Sequence, residues 1–526
     1  MEKRQYLAAI LLLMLSFGFT VPARGLFEPD EPRYALVAQG MLQDGHWLVP
    51  MLEGKPYTHK PPLYLWLIAI FRALGLSWTA AAVLPAFAAA IGLLLLLPHL
   101  GRGFGLTPQQ GYLAATTLVA SPLFATMALA ARMDMLLVLT LTTSLAAAFS
   151  LLSQPEAAGR AKGIYWLFWL ALALAVLTKG PVAIALVGGT LVLFRLSSPT
   201  PLPWRSIFAG WGWLAALALV FSWYLPAAFS QGKDWVMDTL VRQSAGRMVS
   251  SFAHREPFYF HLVTWPFSGF PSSCLGLVAA ASLFRKTHAK EVRFLSASFL
   301  SVLGFFSLVS GKLVVYLLPL VPISVLLSVK VLEEGKRGQR WALGFSSVVG
   351  LGLGGALATL AWWRREFSLS FWLSALCGAG LLVGSVFALL ALFRNQNKRC
   401  FSWLVVTGLW FTAVIIPVLA GALQARLTVA PVAARYATLA SESQTGYVFR
   451  EFFSGLPLYS GKNFIRLQAP EEVVALLQRG LPLVISEKDA SRLSELFSRD
   501  DLMVERFPYR RSALLIVYLP RGRAVR

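Results

Sequence analysis

The sequence predicts a polytopic α-helical membrane protein that carries a small soluble α/β domain at its C-terminus. Hydrophobic residues make up 57% of the 526 residues and charged residues only 14%, whereas a soluble protein carries about 25% charged residues. Apolar runs that approach the ~20 residues needed to cross a bilayer recur up to residue 423 and not after it. We therefore predict a transmembrane domain over residues 1–423 and a soluble domain over residues 424–526.

The transmembrane domain contains about thirteen apolar runs, each a candidate helical span. They lie at residues 6–22, 78–98, 108–128, 134–152, 163–178, 181–196, 206–228, 264–284, 293–310, 313–330, 341–362, 371–393 and 401–423. The first run resembles a signal peptide, but the residues after it match a cleavage site poorly. We therefore interpret it as an uncleaved first helix.

The distribution of Lys and Arg predicts the orientation of these spans. Alternate connections are rich in both residues, as in GRAK at 159–162 and EEGKRGQR at 333–340, and cytoplasmic loops carry such an excess. The N-terminus is then cytoplasmic, the loops 23–62 and 229–263 face outward, and the odd number of runs places the C-terminal domain outside. The same loops, together with attraction to anionic lipid, explain the net charge of +22 better than nucleic-acid binding does.

The C-terminal region mixes helical and strand patterns. Apolar residues at helical spacing predict helices at 469–480 and 489–500. Short apolar, β-branched runs predict strands at 481–488 and 512–520. This mixture is typical of a small α/β domain.

Charged residues at the outer boundary indicate a functional site. An ionisable group near the bilayer costs about 2.5–3.5 kcal/mol or more and usually lines a cavity. The motif FEPDEPRY at residues 27–34 places three carboxylates and one guanidinium directly after the first helix. Its continuation has apolar residues at helical spacing and Pro32 near the start, so we predict an amphipathic helix along the membrane surface. Asp30 and Arg33, three residues apart, share a face of this helix.

Four further charges lie at the same predicted depth in other segments: Lys60, Asp134, Lys179 and Lys312. Capping or snorkelling explains each of them singly. Together they predict one outward-facing cavity with carboxylates on one side and cations on the other. The loop 229–263 adds further cations and aromatic residues, which suit an anionic and partly lipidic ligand. In such a cavity, cations would stabilise a phosphate leaving group and a carboxylate would act as general base toward a hydroxyl.

These stretches resemble the GT-C membrane glycosyltransferases of the aminoarabinose (lipid A) transferase and protein O-mannosyltransferase type, families 39 and 83. The resemblance covers most of residues 25–325 and rests on segments that occur in the family's order. They are FEPDEPRYALVAQGMLQDGHWLVP, YTHKPPLYLW, ARMDMLLVL, LTKGPVAIAL, FSWYLPAAF, VRQSAGRMVSSFAHREPFYFHL and SGKLVVYLLPLVP. The span count and the C-terminal domain are similar to those of the aminoarabinose transferase branch.

The resemblance implies a role for particular residues. In this family an acid of the first outer loop is the catalytic carboxylate, which here is Asp30, with Glu31 as its neighbour. Lys60 matches the family's donor-phosphate lysine. Further matches on the phosphate side are Arg33, Arg255 and Tyr316, and supporting positions are Tyr34, Asp134, Lys179, His254 and Lys312.

One departure concerns a metal. Close relatives often have Glu-Lys-Pro where this chain has His59-Lys60-Pro61. A divalent metal held by His59 and His254 would be the substitute, but two histidines without an acid make a poor site. We therefore predict no metal and no other cofactor.

The implied function is an inverting transfer of a sugar from a polyprenyl-phosphate donor to an envelope acceptor, lipid A or another glycolipid. It would take place on the periplasmic side of the bacterial inner membrane. Two alternatives stay open. One is transfer to Ser or Thr hydroxyls of a protein. The other is a flippase or carrier for lipid-linked sugars, although carriers tend to show two related halves and no internal repeat is visible in the sequence.

Overall fold

The computed structural model describes residues 2–153, 158–239, 256–283, 289–332, 337–363, 369–493 and 502–519, with the backbone alone for residues 158–161 and 425. Most of these residues are helical. The helices before residue 240 are Glu2–Thr20, Asp30–Asp44, Leu63–Ala73, Trp78–Gly103, Pro108–Val119, Pro122–Ala128, Asp134–Ser153, Ala158–Lys179, Val182–Ser197, Arg205–Phe208, Gly212–Gln231 and Lys233–Val236.

The later helices complete the helical bundle and contribute to the C-terminal region. Those up to residue 427 are Phe260–Ser268, Ser273–Ala280, Lys290–Leu308, Leu320–Val331, Arg337–Ala358, Leu360–Trp363, Phe371–Phe393, Asn397–Trp410 and Ile416–Leu427. Those of the C-terminal region are Ala430–Leu439, Gly455–Ser460, Pro470–Gln478 and Glu487–Ala490.

The helical bundle confirms the predicted polytopic class. Among the described residues, eight helices are long and apolar enough to cross a membrane. A ninth crossing exists if Pro108–Val119 and Pro122–Ala128, which meet at 71°, form one bent span. All thirteen predicted runs coincide with a helix or with two consecutive helices. Several of them are shorter than a full crossing, such as Val182–Ser197 and Leu320–Val331.

The bend in the ninth crossing has a local cause in the sequence. Ser121 is extended, with φ −79° and ψ 121°, because the ring of a following proline disfavours the helical conformation. Pro122 then starts the second helix, where its missing N–H is not needed. That helix ends at Ala128, and the turn of residues 129–133 leads into Asp134–Ser153.

Small residues allow the helices of the bundle to approach closely. A Cβ on Gly408 would lie 2.1 Å from the carbonyl oxygen of Ala120, and a Cβ on Gly378 would lie 2.4 Å from that of Gly354. Both contacts are with backbone, which cannot move aside as a side chain can. Such approaches are typical of membrane helices, whose association depends on close packing.

The first outer loop contains the predicted amphipathic helix, which we call the outer-loop helix (Asp30–Asp44). Pro32 stands in its first turn, and Gly45 ends it at φ 74°, a left-handed conformation that glycine adopts without strain. Tyr34 and Val37 lie on its buried face. The loop continues as a short hairpin of β1 (Met51–Leu52) and β2 (Lys55–Pro56).

The C-terminal region forms one mixed sheet between two layers of helix. The strands are β3 (Thr445–Phe449), β4 (Asn463–Leu467), β5 (Leu483–Ser486), β6 (Met503–Tyr509) and β7 (Ser512–Tyr518). Their order is β4-β3-β5-β7-β6, with β3 parallel to β4 and β5, and β7 antiparallel to β5 and β6. One apolar cluster includes Val432 and Leu456, and a second includes Val473 and Leu477.

Three of the four elements predicted for this region are present. Helix Pro470–Gln478 and strands β5 and β7 match. The segment predicted as helix 489–500 has only Glu487–Ala490 and a 3₁₀ turn at Ser491–Leu493, and its remainder lies outside the described residues. The proposed boundary at residue 423 stays a prediction, and helix Ile416–Leu427 runs across it.

The C-terminal region contacts the first outer loop directly. The Leu26 N–H donates to the Tyr459 hydroxyl at 2.6 Å, and the Gly455 N–H donates to Glu28 Oε1 at 2.8 Å. Arg466 pairs with Glu53 in the β1–β2 turn. The two segments therefore lie on the same side of the helical bundle.

Candidate active site at the first outer loop

Acidic and basic side chains alternate along a row that we call the charge ladder: Arg33, Asp30, Arg132, Asp134 and Lys179. Arg33 Nη1 lies 3.3 Å from Asp30 Oδ1, and Arg132 Nη2 lies 3.0 Å from Asp30 Oδ2. Arg132 Nε is 3.5 Å from Asp134 Oδ2. Lys179 Nζ is 2.5 Å from Asp134 Oδ1. The ladder thus joins three separate segments of the chain.

Helix ends position the members of the ladder. Asp30 and Asp134 are each the first residue of a helix, and Lys179 is the last residue of Ala158–Lys179. The partial charges of the helix termini favour anions at the start and cations at the end. Arg132 lies in the turn after the bent span, between the two carboxylates. Three of the residues predicted to converge, Asp30, Asp134 and Lys179, therefore lie in one row, but acids and cations alternate along it and do not occupy opposite sides.

Tyr316 lies at the Lys179 end of the ladder. Lys179 Nζ lies 4.9 Å from the centre of the Tyr316 ring, which stacks on Phe306 at 5.1 Å. Lys60 is near enough to the ladder for its positive charge to act on Asp134. The Lys179 end of the ladder thus collects Tyr316, one of the residues matched to the phosphate side.

Solvent exposure distinguishes the two carboxylates. The Asp134 side chain is 7% exposed, between Arg132 and Lys179, whereas that of Asp30 is 26% exposed. A base must come within about 2.6–3.2 Å of the proton that it accepts. Asp30 is therefore the carboxylate that a hydroxyl can reach.

Glu31 has a different environment from its neighbour Asp30. It is buried and accepts four hydrogen bonds, two on each oxygen. Arg24 Nη1 and Nη2 donate at 2.8 and 3.0 Å, and the N–H groups of Phe27 and Ala131 donate at 2.8 Å each. Arg24 also donates to the Leu129 carbonyl at 2.9 Å. This network, which we call the Arg24–Glu31 clamp, ties the outer-loop helix to the turn that carries Arg132.

The carboxylates also affect the acidity of Arg132. Burial lowers the pKa of its guanidinium, but Asp134 and Asp30 more than offset this, so its pKa lies above the ordinary value. Arg132 therefore stays a fixed cation at the centre of the ladder. It positions both carboxylates without exchanging a proton.

Two of the predicted supporting residues lie apart from the ladder's ion pairs. Tyr34 is buried, with its ring 6.0 Å from that of Tyr64 in an edge-on arrangement, and burial raises its pKa. Lys312 donates to the carbonyls of Val309 and Glu256 at 2.8 and 3.0 Å. These contacts tie Lys312 to the backbone of its own loop and to that of the outer loop 229–263.

Arg255 and His254 lie outside the described residues, so both stay predictions. His59, the other half of the suggested metal pair, has its ring 5.1 Å from that of Tyr57. Among the residues that the structure describes, no group of three or more His, Cys, Asp or Glu side chains could hold a metal ion.

An apolar cavity of about 300 Å³ opens beside the ladder. Asp30 and Arg132 lie at its polar end. Its apolar lining comes from the first outer loop, from the bent span with the turn after it, and from residues 411–427. It includes Phe27, Met127, Leu129, Phe411, Ile416, Leu419 and Leu423. Such a cavity suits a hydrocarbon chain whose polar end reaches Asp30.

Sequence reasoning did not select Arg24, Arg132 or Glu28 as site residues. Arg132 stands two residues before Asp134. A second charged residue in so apolar a segment could have identified Arg132 as a site residue. Arg24 follows the first helix, where a flanking basic residue is ordinary. The bond from Gly455 to Glu28 joins residues 427 positions apart, and no local pattern indicates it.

Glu28 has an unusual acidity that predicts a pH effect on stability. Burial raises its pKa from 4.5 to about 7, against the lowering effect of the Gly455 N–H and of Arg33. The folded protein therefore binds this proton more tightly than the unfolded chain. Proton binding to Glu28 therefore stabilises the folded protein by about 3 kcal/mol. This stabilisation is complete below pH 4.5 and declines as the pH rises to about 7.

We expect Glu28→Gln to remove this pH dependence, because Gln is neutral and keeps an oxygen that can accept from Gly455. Relative to the natural protein, the variant gains about 3 kcal/mol of unfolding free energy between pH 4.5 and 8. Denaturant unfolding of both proteins at pH 5, 6, 7 and 8 measures the difference, in which all other titrating groups cancel. A difference that is constant with pH would contradict the raised pKa.

The fold and the site together define a polytopic membrane protein with a carboxylate-and-cation centre at one boundary of its helical bundle. No protein-family model matches the sequence. The sequence is 29% identical over 364 residues to an undecaprenyl phosphate-α-4-amino-4-deoxy-L-arabinose arabinosyl transferase of Pseudomonas paraeruginosa. That alignment covers 67% of this chain and 65% of the relative, just under two thirds of its length.

Two further similarities extend this result. A transferase of the same name, numbered 1, from Sodalis glossinidius is 28% identical over 413 residues, which are 74% of this chain and 72% of the relative. The crystal structure of ArnT from Cupriavidus metallidurans bound to undecaprenyl phosphate superposes with a TM-score of 0.79 at 19% identity, covering 99% of both chains. The chain is thus similar in sequence to aminoarabinose transferases and shares the fold of one of them.

Proposed function

We propose that this protein is an inverting glycosyltransferase that moves a sugar from a polyprenyl-phosphate donor to lipid A or another envelope glycolipid. The observation that carries the proposal is the charge ladder, with the accessible Asp30 next to an apolar cavity. The similar proteins support it. Their printed names describe arabinosyl transferases and an ArnT with undecaprenyl phosphate bound.

In the proposed reaction, Asp30 acts as general base. It accepts the proton of the acceptor hydroxyl while that oxygen attacks the anomeric carbon of the sugar. The bond from this carbon to the phosphate oxygen breaks, and the electron pair leaves with the polyprenyl phosphate. Attack from the face opposite the phosphate inverts the configuration. A positioned base of this kind contributes about 10²–10⁴-fold to the rate.

The cationic end of the ladder would hold the leaving phosphate. We assign Lys60 and Tyr316 to this role, with Arg255 as the further candidate that the family resemblance implies. Lys179, already paired with Asp134, raises the positive potential nearby. Fixed cations stabilise the charge that develops on the phosphate oxygens as the bond breaks.

We assign positioning roles to residues whose hydrogen-bonding capacity is taken up by the protein. Glu31 accepts four hydrogen bonds and has no lone pair left for a substrate proton. Its role is to hold Asp30 at a fixed distance from Arg132. Arg33, which contacts Asp30, orients the base from the other side.

We further propose that the site faces the periplasm of the bacterial inner membrane, with the N-terminus in the cytoplasm. The support is the excess of Lys and Arg in the opposite set of loops. Contacts of the C-terminal region with Glu28 and Glu53 support the same side for this region.

A transfer assay with the purified protein in detergent tests the proposal. The donor is a polyprenyl-phosphate aminoarabinose with a labelled sugar, and the acceptor is lipid A. We expect labelled lipid A and free polyprenyl phosphate in equal amounts. Label in a Ser/Thr-containing peptide instead would favour the protein acceptor, and unconsumed donor would favour a carrier, because detergent permits no transport.

The expectation that no metal is bound stays a prediction from the sequence, with His59 and His254 as the pair that would hold one, and the proposed reaction contains no step that uses a metal. Chelation with EDTA in the same assay tests it. A loss of activity that Zn²⁺ or Mn²⁺ restores would support the metal.

A further inference from the structure

A second cavity, of about 590 Å³, lies between the first outer loop and the C-terminal region. The outer loop contributes Arg33 and His59 to its lining. The C-terminal region contributes Arg450, Phe452, Arg466 and Arg492. We call it the interdomain cavity. Four of these six side chains are arginines. The sequence patterns did not predict that these arginines lie close together.

Acids line this cavity together with the arginines: Glu28, Glu53, Glu451 and Asp489. Asp489 Oδ1 accepts from Arg492 at 3.1 Å and lies 3.8 Å from Arg450. The Asp489 side chain is only 12% exposed, whereas those of Arg450 and Arg492 are 45% and 54% exposed. On this side of the cavity one shielded carboxylate thus holds two partly exposed guanidiniums that a ligand can reach.

A third guanidinium is held on the other side. Arg466 pairs with Glu53 in the β1–β2 turn, and its guanidinium carbon lies 5.5 Å from the centre of the Phe452 ring. An aromatic ring beside hydrogen-bonding arginines is a suitable surface for a sugar. Such pre-positioned guanidiniums lose little freedom when they bind an anion.

Backbone strain occurs on both sides of the cavity. Glu53 has φ 51° and Arg450 has φ 59°, a left-handed conformation that costs a residue other than glycine about 1–3 kcal/mol. Glu53 forms an ion pair across the cavity and Arg450 forms one within it. The fold therefore holds these two side chains in place at a cost in conformational energy.

The cavity adjoins the site from the side away from Lys179. Arg33 lines it and also contacts Asp30. Asp134, Lys179 and Tyr316 do not line it. A ligand there is next to the general base but away from the proposed donor phosphate, which is the position that an acceptor must take.

We propose that the interdomain cavity binds the phosphorylated saccharide head of the acceptor glycolipid through Arg450, Arg466 and Arg492. This inference rests on the proposed function and names the substrate group that the C-terminal region recognises. Guanidiniums form paired, charge-assisted hydrogen bonds with phosphate oxygens. The acyl chains of the same molecule would lie in the membrane while its head reaches Asp30 from the cavity.

The test is direct binding of lipid A, with both phosphates, to the full-length protein in nanodiscs. We expect the double variant Arg450→Gln and Arg492→Gln to raise the Kd for lipid A by about 10- to 100-fold, the equivalent of one or two charged hydrogen bonds. Its Kd for the polyprenyl-phosphate donor stays unchanged. Lipid A from which the phosphates have been removed binds both proteins equally weakly.

A matched control carries Arg435→Gln and Arg506→Gln, two arginines of the same region that pair with Glu505 and Glu487 at the surface. It removes the same charge and should bind lipid A normally. Equal affinity of the cavity variant and this control would overturn the proposal, and so would a weakened affinity for the donor. Unfolding midpoints show whether each variant is folded.

The binding readout separates this inference from the proposed function. Arginine-dependent binding of lipid A without any sugar transfer would contradict the proposed function and support the assignment of the interdomain cavity. Transfer to lipid A that does not depend on Arg450 and Arg492 would support the proposed function and contradict the assignment of the cavity.

Discussion

Asp30→Asn is expected to reduce the rate of sugar transfer by about 10²–10⁴-fold, the range that a positioned general base contributes. Asparagine has nearly the same shape, and its amide oxygen can still accept from Arg132, so the fold and the helix start should be preserved. What is lost is the ability to take the proton of the attacking hydroxyl. The measurement is kcat for labelled sugar transfer in detergent, together with the unfolding midpoint.

Asp44→Asn is the matched control, because Asp44 ends the same outer-loop helix and its side chain is 62% exposed. We expect it to be fully active. Full activity in Asp30→Asn would remove Asp30 from the mechanism. Unchanged donor binding in that variant would show that the loss lies in the chemical step.

The largest effect on stability is expected for Arg24→Met. This change removes the cation of the buried Arg24–Glu31 clamp and leaves a carboxylate with only two backbone N–H donors. Breaking one side of a buried ion pair costs about 3–5 kcal/mol, because the remaining charge is no longer compensated. Chemical unfolding in mixed micelles measures the loss of unfolding free energy.

A second variant distinguishes charge from packing. In Arg24→Met combined with Glu31→Gln, no unpaired charge remains, so part of the lost stability should return. Arg435→Met, which breaks an exposed pair with Glu505, should have little effect, as surface pairs usually do. If Arg24→Met is no more damaging than Arg435→Met, the clamp does not stabilise the site.

The helical framework could be predicted from the sequence because the bilayer imposes a simple rule. A span needs a long apolar run, and each predicted run coincides with one or two helices. The outer-loop helix was predictable for a similar reason, since Pro32 and the spacing of Leu36, Val37 and Met41 are local signals. Strands β5 and β7 were apolar enough to be recognised.

The partners within the site could be predicted only in part. Asp30, Asp134 and Lys179 were selected because charge near a membrane is costly, and the ladder brings them together. The same argument also selected Lys312, whose contacts are with backbone carbonyls. A sequence shows that a charge is present but not which partner it has across more than a hundred residues. That is why Arg132, whose partner Asp30 is remote in the sequence, was not selected. Arg24 pairs with Glu31 only seven positions away, but a basic residue after a first helix is ordinary.

The C-terminal sheet shows the same limit. Strands β3, β4 and β6 carry mixed exposed and buried residues, so no clean period marks them. The order β4-β3-β5-β7-β6 depends on which edges meet in space. The interdomain cavity, built from both ends of the chain, could not be inferred before the two were seen in contact.

The contact of Tyr459 and Gly455 with Leu26 and Glu28 sets an order of events in biogenesis. The segment that braces the loop of Asp30 is made more than four hundred residues after that loop. The loop can therefore reach its final contacts only after residues 455–459 have been made. A chain cut before residue 455 would lack both of these hydrogen bonds.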